Sequence, residues 1–167
     1  MRITRTIVTT ALLALPLALS LALPHARADG HEADAPVPST ELSPERVVEI
    51  VVDALRTNDG TSDDAGIETV WRFASPGNRA STGPLARFSR MIKRGFPDML
   101  EHESSRFDEM RIDDDKALQA VWLMLPSGGE VGYAFQLGRQ RGGEYDGMWM
   151  TESVLPLGKG ERSGTRI

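Results

Sequence analysis

Between positions 44 and 58 the apolar residues Val47, Val48, Ile50, Val51, Val52, Ala54 and Leu55 spread over more than half of a 3.6-residue wheel, and Glu49, Asp53 and Arg56 share the remainder. So broad an arc predicts a helix buried on two sides. Ser43-Pro44-Glu45 supplies its start, with a capping hydroxyl, a proline suited to the first turn and an acid at the positive end of the dipole; Asn58-Asp59-Gly60 supplies its stop. A second helix is predicted from Asp64, a cap candidate, through Ala74, with Ile67, Val70, Trp71 and Phe73 on one arc, and Ser75-Pro76-Gly77-Asn78 is read as its break. The third runs from Thr82-Gly83-Pro84 to Gly95, placing Leu85, Phe88, Met91 and Ile92 on one face and Arg87, Arg90, Lys93 and Arg94 on the other. That basic face suits either solvent or an anionic surface.

Beyond Phe96-Pro97 the period changes. Four strands are predicted: Ser104 to Ile112, Lys116 to Leu125, a strictly alternating segment in which Val131, Tyr133, Phe135 and Leu137 form one face, and a last strand around Tyr145 to Leu155. Asp113-Asp114-Asp115, Pro126-Ser127-Gly128-Gly129 and Gly142-Gly143 are the intervening turns; the acidic run lacks the spaced ligands and closing Glu of a calcium loop. Three N-terminal helices followed by a curled four-stranded antiparallel sheet define an α+β fold with the helices gathered on one sheet face.

The chain ends read differently. Arg2 and Arg5 precede an Ala/Leu-rich stretch, Ile7 to Leu23, and Ala26-Arg27-Ala28 offers small residues where a signal peptidase cuts, so residues 1–28 are expected to be a cleaved signal peptide and the protein to be periplasmic or secreted. Pro16, Ser20 and Pro24 interrupt a segment already at the lower limit of a spanning helix, so no stable membrane span is expected after cleavage. Residues 29–42 read as a linker and 158–167 as a disordered tail, leaving 43–157 as a single domain.

Charge and composition then narrow the chemistry. Among 167 residues there are 19 basic and 24 acidic, a net charge of −5, and Arg2, Arg5 and Arg27 lie in the leader, so the mature chain stands at −8. That balance argues against nucleic acid as a partner. Cysteine is absent, which excludes disulfides, thiol nucleophiles and thiolate metal sites. No phosphate-cradling motif is present, and no cofactor is expected.

Cleavage after Ala28 would expose Asp29-Gly30-His31, whose free amine, two amide nitrogens and imidazole can close a square around Cu(II) or Ni(II). Copper titration of the mature chain is expected to give a visible band that a His31→Ala version lacks; identical spectra would remove this reading.

Trp71, Trp122, Tyr133 and Trp149 are candidates for an apolar ligand pocket and equally for core packing. Arg72, Asn78 and Arg79 flank the break after the second helix and can hold a carboxylate or phosphate, or else brace the loop. Asp98 and His102 form the best proton-transfer pair, provided the passage after Pro97 is helical; the alternative places His102 exposed at a strand entrance.

Several segments carry a family resemblance: Trp71-Arg72-Phe73-Ala74-Ser75-Pro76, Asn78-Arg79, Thr82-Gly83-Pro84-Leu85, Pro97-Asp98-Met99-Leu100, Val121-Trp122-Leu123, Pro126-Ser127-Gly128, Gly132-Tyr133, Arg139-Gln140, Trp149-Met150-Thr151 and Pro156-Leu157-Gly158. Together, over about residues 44 to 158, they resemble an uncharacterised family of bacterial and plant proteins classed only as a domain of unknown function. The order of elements is also similar to the cone of nuclear transport factor two, ketosteroid isomerase and scytalone dehydratase. That topology implies a pocket between sheet and helices, and often a homodimer through the outer sheet face; no catalytic motif transfers with it. The expectation is therefore a non-enzymatic binding protein for a small apolar or amphipathic ligand or a protein partner. Its rivals are an isomerase or dehydratase using Asp98 and His102, and metal binding at Asp29-Gly30-His31.

Overall fold

Ser43 caps the first helix as its sequence requires, its Oγ accepting from the Arg46 amide at 3.3 Å, and α1 runs over Pro44–Arg56. The computed structural model describes residues 35–58 and 64–160; the leader, the Asp29-Gly30-His31 site and the end of the tail lie outside the described residues. Val47, Val48, Val51 and Val52 are all buried, the two-sided burial that the wide apolar arc predicts.

Helix α2 spans Ala65–Phe73 and crosses α1 at Gly66, where an added Cβ would stand 2.0 Å from the Ala54 carbonyl oxygen. Its capping differs from expectation. Asp64 sits in the left-handed region with φ 47° and makes no cap bond, while Asn58 Oδ1 accepts from the Ile67 amide at 3.1 Å. Asp64 instead binds Lys93 at 2.7 Å and the Ser89 hydroxyl, which ties the start of α2 to the next long helix and holds its carboxyl below the usual range, chiefly through Lys93.

The sequence read as a break after α2 begins another helix, α3, Pro76–Thr82. Ser75 accepts from the Asn78 amide at 3.1 Å, repeating the Ser-Pro start of α1. Helix α4 is Leu85–Gly95, with Phe88 and Ile92 buried, and α5 is the short Pro97–Leu100.

The expected first strand is interrupted. β1, Ser104–Phe107, and β2, Arg111–Asp113, both pair with the same edge of β3, Lys116–Met124. The register jumps between Phe107↔Val121 and Arg111↔Leu118, so three residues of one strand oppose two of the other around Asp108. β4 is Glu130–Arg139 and β5 is Trp149–Lys159, giving the order β1-β3-β4-β5 with β2 beside β3, antiparallel throughout. The α+β fold expected from the sequence is thus the one observed, with five helices and five strands among the described residues as finer divisions of the three and four predicted, and the layout is compatible with a cone.

β5 begins later than expected because Gly143–Tyr145 forms a 3-10 turn, and it continues past Leu155 until Lys159 pairs with Val131. Alternation along β3 and β4 sends Val121, Leu123, Phe135 and Leu137 inward, where α1 packs on β3 and β5 and α3 packs on β5. Two bulges bend the β4–β5 ladder. Gly132 pairs with Gly158 but Tyr133 with Pro156, and Gln136 pairs with Ser153 but Leu137 with Thr151, so Leu157 and Glu152 are the extra residues. Among the described residues no helix is long and apolar enough to cross a membrane.

Candidate functional site

A cavity of about 590 Å³ lies between the helices and β5. Val51 and Leu55 of α1, Phe88, Met91 and Ile92 of α4, Phe96, Met99, and Phe135 of β4 make it largely apolar. One end is polar, built from Asn78, Ser81 and Thr82 of α3 and from Thr151 and Glu152 of β5. Its size falls in the range of small-molecule pockets, and so does its make-up of apolar walls with a few convergent polar groups.

The polar end is assembled where α3 docks on β5. The Ser75 amide donates to the Thr151 carbonyl at 3.0 Å and Asn78 Nδ2 donates to the same oxygen at 3.1 Å. Glu152 is the extra residue of the second bulge, and its carboxylate lies against Gly138. Its carboxylate accepts from the buried Ser75 hydroxyl at 2.8 Å and from Gln140 Nε2 at 2.8 Å, so the side chain is fixed at the rim of the cavity although exposed to water. Thr151 is 3% exposed and its hydroxyl has no hydrogen-bond partner. An unpartnered buried hydroxyl is destabilising, so its presence on the wall of a cavity is informative.

Of the sequence candidates among the described residues, Asn78 lines this cavity, and the others do not. Arg79 is a brace: its guanidinium donates to the Ala74 carbonyl at 2.8 Å, the Arg72 carbonyl at 2.6 Å and the Tyr145 hydroxyl at 3.1 Å. It also lies over the rings of Trp71, at 4.6 Å, and Tyr145, at 5.1 Å. Arg72 reaches Glu68 and the Pro36 carbonyl, each at 3.2 Å, and so pins residues ahead of α1 to α2. Both arginines therefore take the bracing role that the sequence left open beside anion binding.

Trp122 lies on the outer sheet face, packed over Gly132, stacked under Arg106 and donating to Asp108 at 2.9 Å. Trp149 belongs to the buried core with Arg139 over its ring, and Tyr133 is buried beside Phe96. Burial raises the Tyr133 hydroxyl pKa, and the nearby Asp98 charge adds to it.

His102 is buried, which corrects its reading as an exposed residue at a strand entrance. The chain turns back after α5 and seats the ring inside, with Nδ1 donating to the Met99 carbonyl at 2.7 Å. Nε2 is then the bare acceptor of a neutral imidazole, without a partner. No hydrogen bond or ion pair among the described residues joins it to Asp98. Burial lowers the His102 pKa below its usual 6.5, against the opposing pull of the Met99 carbonyl. Stability from the neutral ring is thus complete above 6.5 and declines as pH falls below it, because the unfolded chain takes up the proton first. His102→Asn keeps a donor for Met99 and cannot titrate. Urea unfolding at about pH 7.5 and about pH 5.5 is expected to show a loss in the native chain that is smaller in this variant.

Fold and site together define an α+β domain with helices over one face of an antiparallel sheet and a ligand-sized cavity between the layers. The chain belongs to the family described as Domain of unknown function (DUF4864), whose model matches residues 40–160. No curated protein and no solved structure matches it.

The Trp71 to Leu85 stretch, part of the family resemblance, builds the Arg79 brace and the α3 side of the cavity. Sequence reasoning missed Thr151, Glu152, Ser81 and Thr82. The available signals were the second Ser-Pro start at Ser75-Pro76 and a lone carboxylate in an otherwise uncharged stretch, Trp149 to Gly158.

Proposed function

We propose that this protein is an exported, non-enzymatic binding protein that holds a small amphipathic ligand in the cavity between its helices and β5. The observation that carries the reading is the cavity itself, with an apolar interior and its polar groups collected at one end. Support for export comes from the leader pattern of Met1 to Ala28. Neither Asp98 nor His102 lines the cavity, so the geometry favours holding a ligand over proton transfer.

The reading is tested by native mass spectrometry of the protein recovered from an export compartment, beside a Ser81→Trp variant. Ser81 is exposed on α3 and lines the cavity, so an indole there obstructs the pocket without entering the core. The expected result is a mature mass beginning at Asp29 with an added mass that unfolding releases and that Ser81→Trp lacks. A leader that stays attached would defeat the export half. An added mass retained equally by Ser81→Trp, or none in either protein, would count against the cavity.

A further inference from the structure

The polar end of the cavity presents acceptors. Ser81 has donated its hydroxyl proton to the Gly77 carbonyl at 3.0 Å and Thr82 has donated its own to the Asn78 carbonyl at 2.8 Å. Asn78 Nδ2 is engaged by the Thr151 carbonyl, and Ser75 and Gln140 donate to Glu152. What faces a ligand is therefore mainly hydroxyl lone pairs and a carboxylate, with the Thr151 O–H and the second Asn78 Nδ2–H as the remaining donors. An ionised carboxylate has about four lone-pair sites, and two side chains donate to this one. Among the described residues Glu152 has no ion pair, and the buried Thr151 hydroxyl beside it has no partner.

A carboxylate that is fixed by two neutral donors and makes no ion pair favours a cationic group that brings its own N–H donors, although Glu152 also borders a second hollow with Arg111, Lys116, Arg139 and Arg141. An ammonium supplies three. An anionic head would meet Glu152 with like charge, and a neutral alcohol would satisfy only part of the acceptor set. Glu152 also stands at the exposed rim, so a charged head can remain near water while its apolar body enters among Phe88, Ile92 and Phe135.

We propose that the ligand is an amphipathic primary amine, its ammonium held by Glu152 and Thr151 and its hydrocarbon body in the cavity. This rests on the cavity's being a binding site, as argued above. Three probes of equal chain length separate the two ideas: n-octylamine, 1-octanol and octanoate, titrated calorimetrically into the full-length exported protein at neutral pH.

The amine is expected to bind at least about tenfold more tightly than the alcohol, with octanoate weakest. Glu152→Gln should bring the amine toward the level of the alcohol, lowering the amine-to-alcohol affinity ratio by at least about tenfold. Thr151→Val, which removes the hydroxyl in nearly the same shape and breaks no protein hydrogen bond, should weaken the amine more than the alcohol. It keeps the test intact if Glu152→Gln does not fold. Ser81→Trp should weaken all three probes, which excludes loose attraction of a cationic amphiphile to an acidic surface.

If amine and alcohol bind equally, or if neither Glu152→Gln nor Thr151→Val alters their ratio, the amine proposal is overturned and the cavity reading stands. If no probe binds, both fall.

Discussion

Gly66→Ala is expected to destabilise the domain by at least about 3 kcal/mol, at or beyond the upper end of ordinary overpacking. A Cβ at this position would stand 2.0 Å from the Ala54 carbonyl oxygen and 2.7 Å from the Asn58 Cβ. The first obstacle is backbone, so no rotamer change relieves it. α1 and α2 must move apart, and that separation disturbs two further things at once. Asn58 loses its position as the acceptor for the Ile67 amide, and Val47, Val48 and Ile67 lose close packing in the buried core. Gly66 lies in a helix without a positive φ, so the usual helical gain of alanine over glycine opposes the effect by only about 1 kcal/mol. Chemical denaturation reads the result directly. A variant as stable as the parent would mean that the α1–α2 crossing is looser than described.

Arg79→Ala is expected to cost about 3 kcal/mol, and Arg79→Lys most of that amount. The guanidinium makes three hydrogen bonds in a planar fork, two of them to the carbonyls of Ala74 and Arg72, and it lies over the rings of Trp71 and Tyr145. Lysine keeps the charge but cannot span those three acceptors or present a flat face to Trp71 and Tyr145. The loss should be local as well as global. Ala74 bridges to Thr151 and Ser75 caps α3, so loosening this junction releases the polar end of the cavity. Hydrogen exchange at the Asn78 and Gly83 amides is expected to accelerate more than exchange in β3. Uniform acceleration would show that Arg79 contributes only to overall stability.

The sequence spoke most clearly where a local signal and the tertiary demand agree. Ser43-Pro44-Glu45 starts α1 where predicted, and the alternation from Val131 to Leu137 becomes the inward face of β4. The same Ser-Pro signal at Ser75-Pro76 was masked by the Gly77-Asn78 that follows it, a pair more typical of turns, and a short helix stands there because β5 supplies partners for its first residues. Asp64 looked like the cap of α2, but Lys93 and Ser89 compete for its carboxylate and Asn58 takes over the capping.

The cavity was legible only as a consequence of layout. Its large side chains, Phe88, Met91, Ile92 and Phe135, were each placed on apolar faces, yet periodicity alone does not distinguish a packed interface from one that leaves space. The big aromatics Trp71, Trp122 and Trp149, pocket candidates by residue type, are absorbed by arginine stacking and core packing. The place of Glu152 was not legible because it is the extra residue of a bulge, and a bulge leaves no trace in a strand's hydrophobic alternation.

The claim that the space between helices and sheet accepts a ligand is tested most directly by methyl NMR of the methionines during titration with 1-octanol, a neutral probe. Met91 and Met99 line the cavity, whereas Met110 and Met124 do not. The account predicts saturable shifts at Met91 and Met99 with Met110 and Met124 unmoved. Shifts spread evenly over all four methyls, or none at Met91 and Met99, would contradict it.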